Sequence, residues 1–220
     1  MNADAKKFMA ETFGTFAVVF AGTGAIVVND VSGGSLGRAG IALTFGLIVL
    51  AMIYAVGEVS GAHLNPAVTL GLWLAKRLEP RLLLPYFFSQ FAGAVFASAA
   101  VAFLFPSNCN LGSTHPSGSV WQSFVLECVM TWLLMFVVLS VSSAAGGRGM
   151  LTAVAVGAVI GLEALFGGPI SGASMNPARS LGPALVSGRL DDLWIYLSAP
   201  FVGAILGVVT CGSVQDEGCC

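Results

Sequence analysis

The stretch Ser60-Gly61-Ala62-His63-Leu64-Asn65-Pro66-Ala67-Val68 returns 111 positions later as Ser171-Gly172-Ala173-Ser174-Met175-Asn176-Pro177-Ala178-Arg179, with six of nine residues identical. Each copy closes a long apolar segment and then places Asn-Pro-Ala where a helix should begin. Asn is among the best N-cap residues, and Pro is favoured at the first helical position because its missing N–H would be unpaired there in any case. Asn65-Pro66 and Asn176-Pro177 therefore read as helix starts. The small residues Ser-Gly-Ala ahead of each start suit an extended backbone lying close against neighbouring helices, with carbonyls available to line a path. Irregular backbone at membrane depth survives only where protein buries it or where it borders a water-filled cavity. Two such segments imply two inward-pointing half-helices around a lined passage.

Composition makes the membrane setting necessary. Of 220 residues 56% are hydrophobic and 9% charged, with mean hydropathy +0.89, too little polar surface to cover a soluble globule. Helices of roughly 20 apolar residues span a bilayer, and six such stretches occur, at about 8–28, 39–58, 83–105, 121–143, 150–167 and 194–213. Two further apolar runs, about 66–75 and 177–186, are too short to span. The first stretch follows Lys6 and Lys7 as a signal peptide would, but it is long, contains Glu11 and precedes five more spans, so it reads as a retained helix.

With the N-terminus in the cytoplasm, Lys6, Lys7, Lys76, Arg77, Arg81 and Arg148 fall inside and only Arg38 and Arg189 outside. That bias puts both termini on the cytoplasmic side of a multi-pass protein of the plasma or inner membrane. Cys109, Cys128, Cys211, Cys219 and Cys220 show no disulfide or metal spacing and read as unpaired. No basic run suggests nucleic acid, and nothing implies a cofactor.

The repetition reaches beyond the nine residues. Glu11-x3-Thr15-Phe16-x3-Phe20 matches Glu127-x3-Thr131-Trp132-x3-Phe136, and Tyr86 with Gly93-Ala94 matches Tyr196 with Gly203-Ala204. The chain is thus one domain, 1–220, made of two repeats, about 1–115 and 116–220. Each repeat carries three spans, an odd number, so the second enters the membrane inverted, and the site lies at the midplane where the discontinuous segments meet.

On both Asn-Pro-Ala boxes, Glu11 and Glu127, His63 before the first box and Arg179 after the second, the chain resembles the aquaporins of the major intrinsic protein family. The string Gly168-Pro169-Ile170 through Asn176 resembles the nodulin-like branch and its bacterial relatives. The resemblance covers essentially the whole chain. It implies an all-α membrane protein, a bundle of six transmembrane helices plus two re-entrant half-helices, assembled in the lipid bilayer as a homotetramer with one pore per subunit. Gly93, Gly157, Gly161, Gly203 and Gly207 suit the close helix crossings such a bundle needs.

Each half-helix start carries about +0.5 elementary charge, so two of them meeting in a narrow pore repel cations and protons. If Asn65 and Asn176 turn their side-chain oxygens onto their own helix starts, their amide N–H groups can donate to a passing oxygen. A water held there donates outward on both sides and breaks the oriented chain that proton hopping requires. Carbonyls of Gly61, Ala62, His63, Gly172, Ala173 and Ser174 would supply the acceptors. The boxes themselves comprise Asn65, Pro66, Ala67, Asn176, Pro177 and Ala178.

Val68 in the first copy corresponds to Arg179 in the second, and a cation in the first turn opposes the helix dipole. By resemblance Arg179 belongs to an outer selectivity filter with Phe45, Ala164 and Ala173. Strict water channels usually carry His where Ala164 stands, so this ring is wider. Ser180 and Ala184 occupy places where glycerol facilitators carry Asp and Lys, and Leu197 follows Tyr196 where strict water channels carry Trp. The favoured function is a passive channel for water and small uncharged solutes. The alternative is a channel mainly for glycerol, urea, ammonia or neutral metalloid hydroxides, with water secondary. A proton-coupled transporter is a distant third reading. An enzyme using Glu11, Glu127 and His63 lacks a nucleophile motif or further metal ligands.

Glu11 and Glu127 read as loop support, accepting hydrogen bonds from the buried segments, because buried charges must be paired. His63 fits a carbonyl anchor, a pH-sensitive gate or a packing residue. Glu163, with no counterpart in the first half, fits a brace for the outer loop in preference to a pore-lining group.

Overall fold

The computed structural model describes residues 2–143 and 150–215. Arg148, Cys219 and Cys220 lie outside them. The helices are α1 (Ala3–Val31), α2 (Gly37–Ser60), α3 (Pro66–Leu74), α4 (Leu83–Leu104), α5 (Val120–Ser143), α6 (Met150–Ser171), α7 (Pro177–Ser187) and α8 (Leu193–Val214). Six of these, all but α3 and α7, are long and apolar enough to cross a membrane. α3 and α7 have nine and eleven residues, about half of a span. All the described regular structure is helical.

α6 runs past the apolar stretch ending at 167, through Pro169 to Ser171. The last carbonyls of a helix have no donor within it and need one from outside. Here Ser117 Oγ donates to the Pro169 carbonyl at 2.8 Å, and Ser117 N to the Ile170 carbonyl at 2.9 Å.

The packing pairs up when the two halves are exchanged. α1 lies on α4 as α5 lies on α8, α1 on α2 as α5 on α6, and α3 meets α8 as α7 meets α4. Glycine makes these crossings close. A Cβ on Gly93 would overlap the Thr12 carbonyl, and one on Gly203 the Cys128 carbonyl, at matching places in the two halves. α2 and α6 cross where a Cβ on either Gly46 or Gly157 would lie 2.6 Å from the other's carbonyl. Backbones at this separation gain van der Waals contact that larger side chains would prevent.

Polarity is arranged for lipid. Phe88 and Phe103 are 74% and 85% exposed, whereas Glu11, Gln90 and Glu127 are fully buried. Arg81, beyond α3, forms an ion pair with Asp4, so this loop shares a face with the N-terminus. Trp121, Phe124 and Trp194 cluster near the starts of α5 and α8, an aromatic group of the kind that sits at headgroup level. Cys109 and Cys128 are free, but Cys211 is disulfide-bonded, which corrects the reading of all five cysteines as unpaired. Spacing along the chain carried no sign of that bond.

Candidate functional site

The two Ser-Gly-Ala segments are not extended, as the small residues suggested. Gly61, Ala62 and Leu64 have φ of 87°, 47° and 53°, and Gly172, Ala173 and Met175 have 84°, 42° and 53°. Left-handed backbone at four non-glycine positions costs about 1–2 kcal/mol each, so something must hold it. Conformations of this kind turn successive N–H groups into a concavity suited to an anion, and a carboxylate fills each one. Glu11 Oε1 accepts from His63 N at 2.9 Å and Ser60 Oγ at 2.7 Å, and Oε2 from Leu64 N at 2.7 Å and Gln90 Nε2 at 2.8 Å. Glu127 Oε1 accepts from Ser174 N at 2.9 Å and Ser171 Oγ at 2.6 Å, and Oε2 from Met175 N at 2.7 Å. Tyr86 and Tyr196 donate to the carbonyls of Ser60 and Ser171, where α2 and α6 end.

Asn65 caps α3 by accepting from Ala67 N at 2.8 Å, and Asn176 caps α7 by accepting from Ala178 N at 3.0 Å. Their amides then cross between the halves. Asn65 Nδ2 donates to the Met175 carbonyl at 2.8 Å, and Asn176 Nδ2 to the Leu64 carbonyl at 2.9 Å. Each acceptor is the residue just before the opposite asparagine. A primary amide has two N–H groups, so one on each asparagine ties the halves together and one remains.

Both asparagines border a cavity that runs from Phe45 and Arg179 to Ser142 and Thr152. Its volume is about 120 Å³, several times the ~10–15 Å³ that one water needs by that measure. Phe45, Ala164, Ala173 and Arg179 all border it, as do Gly61, Ala62, His63 and Ser174. Gly172 does not. Pro66, Ala67, Pro177 and Ala178 are buried behind the asparagines rather than on the cavity wall. Among the described residues, no group donates to the carbonyls of 61–63 or 172–174.

Arg179 is 2% exposed. Its Nη1 donates to the Gly112 carbonyl at 2.8 Å, its guanidinium carbon stands 5.1 Å from the Phe45 ring centroid, and its Nε has no partner among the described residues. His63 packs against Tyr86 and pairs Nδ1 with Thr69 Oγ1 at 3.2 Å. In the second half Ser174 and Ser180 make the corresponding contact at 2.6 Å, extended by Thr114. Glu163 is 1% exposed, lies off the cavity, and neither of its oxygens has a partner among the described residues. The expected brace to an outer loop is therefore absent there.

Several contributing residues were not singled out from sequence. Gln90 carries a polar bridge from Glu11 to Thr69. Gly112 holds the arginine from a loop with no repeated counterpart. At the far end Arg77 Nη1 donates to Ser142 Oγ at 2.6 Å and to the Leu139 carbonyl at 3.1 Å. None of these three recurs between the halves, unlike the tyrosines that the repeat had shown.

Residues 2–210 match the family described as Major intrinsic protein. The chain is 45% identical over 203 residues to Aquaporin NIP1-1 of Zea mays, covering 92% of this chain and 72% of that one. It is 42% identical over 204 residues to Nodulin-26 of Glycine max, covering 92% and 75%. Among solved structures it matches the aquaglyceroporin from Plasmodium falciparum with a TM-score of 0.86 and 29% identity, covering 95% and 94%.

Proposed function

As this chain belongs to the major intrinsic protein family and is a membrane channel rather than an enzyme, we propose that its cavity passes water and small uncharged solutes while turning back protons and ions. The observation that carries this reading is the reciprocal pair of bonds from Asn65 to Met175 and from Asn176 to Leu64. It sets two positive helix starts face to face and leaves one N–H on each asparagine for the lumen. A solute oxygen there accepts from both sides. Its own protons point away along the passage to the carbonyls of 61–63 and 172–174, whose N–H groups at 63 and 174 are committed to Glu11 and Glu127. Water moves; a proton relay does not.

Phe45, Ala164, Ala173 and Arg179 form the selectivity ring in this reading, with Ala164 leaving room beyond one water. That methyl group supports glycerol, urea, ammonia or a neutral metalloid hydroxide as further cargo. The channel is one domain of two inverted repeats, with its termini in the cytoplasm. Four copies per assembly is the number the family resemblance implies, and it is supported by the low burial of α2 and α6 within one protomer, 22% and 28% of their most apolar windows against 39% to 50% for the other four spans. The native mass of the detergent-solubilised protein tests that number. Flux through proteoliposomes tests the ring. Ala164→His should lower glycerol and urea permeability more than water permeability, and equal losses would remove Ala164 from the constriction.

A further inference from the structure

Behind Phe45 lies a residue that borders no part of the cavity. A Cβ on Gly22 of α1 would fall 2.6 Å from Phe45 Cδ1, with Cζ and Cε1 nearer still. The ring thus rests on the α1 backbone, in volume that any other residue type at 22 would occupy. The Arg179 guanidinium carbon stands 5.1 Å from the centroid of the same ring. The next residue on α1, Thr23, buttresses the other partner of the arginine: a Cβ on Gly112 would lie 2.8 Å from Thr23 Cβ, and the Gly112 carbonyl accepts from Arg179 Nη1.

The internal repeat supplies an independent observation. With Glu11 aligned to Glu127, Gly22 aligns with Val138; with Ser60 aligned to Ser171, Phe45 aligns with Val156. Val138 and Val156 both border the cavity. In the second half the two helices share the available volume as two valines. In the first half glycine gives up its share and phenylalanine takes it.

We infer that Gly22 is a positioning residue for solute selection: the lack of a side chain there seats the Phe45 ring back against α1 and so sets the aperture beside Arg179. This rests on the reading of Phe45, Ala164, Ala173 and Arg179 as the constriction. A methyl group at 22 is fixed to the α1 backbone and cannot yield, whereas the ring can turn about its side-chain torsions. The ring must therefore move toward the lumen, where Ala164 leaves space within the proposed ring of residues.

The test is stopped-flow permeability of proteoliposomes carrying the wild type, Gly22→Ala, Phe45→Leu or the double variant, with water, urea and glycerol as probes. Gly22→Ala should lower the glycerol-to-water ratio about tenfold, the scale of one methylene in a fitted pocket, with urea affected less. Phe45→Leu should raise the ratio, and the double variant should return it toward the wild-type value. A general structural defect would lower water and solutes together and would not be rescued at Phe45. If Phe45→Leu shifts the ratio and Gly22→Ala does not, the positioning role is wrong and the constriction stands. If neither shifts it, the constriction itself has been misassigned. Should Gly22→Ala fail to give stable protein, recovery in the double variant supports the clash with Phe45, and failure of both overturns it.

Discussion

Glu11 and Glu127 each hold two backbone N–H groups that would otherwise be buried and unpaired. Their pairing role was legible because they recur at one place in both halves and because a buried acid needs partners. Glu127→Ala would strand the N–H groups of Ser174 and Met175 at about 1–3 kcal/mol each. The expected result is a lower unfolding temperature in detergent and a poor yield of assembled protein; normal values for both would remove the support role. Arg179 was legible as a break in the repeat and, by resemblance, as a companion of Phe45. Its hydrogen-bond partner was not, since Gly112 comes from an unrepeated loop and contributes a carbonyl, which no side-chain pattern encodes. Arg179→Val removes a fixed positive charge from the cavity wall. It should raise proton leak, read as faster decay of a pH-sensitive dye after a pH jump, and an unchanged decay would assign proton exclusion to the helix starts alone.

At the scale of elements, both helix starts were legible from Asn-Pro, whose capping and φ preferences act within one turn. The backbone before them was not. Ala62, Leu64, Ala173 and Met175 adopt left-handed conformations against their own preference, and the compensation comes through bonds to carboxylates 47 to 53 positions away along the chain. Local reading has no access to such a partner. Helix crossings were legible as glycine positions, and the structure adds what each one touches. Gly203→Ala would drive a methyl group into the Cys128 carbonyl at the α5–α8 crossing. Overpacking of this kind costs about 1–3 kcal/mol. Thermal unfolding of the purified protein should shift down accordingly, and no shift would mean that the crossing can relax.

For the whole molecule, the six spans follow from hydropathy and length, and the two half-helices from short apolar runs behind Asn-Pro starts, because burial in lipid leaves few other arrangements. The disulfide of Cys211 and the burial of the Glu163 carboxyl without a partner among the described residues did not. The first lacks a spacing signal, and for the second the sequence shows the acid but not which groups pack around it. The two halves are joined at the cavity by the crossed asparagine amides, and every functional consequence proposed above depends on that junction passing neutral molecules without a proton relay. The most direct measurement records osmotic water flux and internal pH together in the same proteoliposomes, by stopped flow with an entrapped pH-sensitive dye and an imposed pH gradient. Water flux should be fast, with a low activation energy, and should leave the gradient as long-lived as in empty liposomes. Flux no faster than in empty liposomes, or collapse of the gradient along with the water movement, would contradict the account.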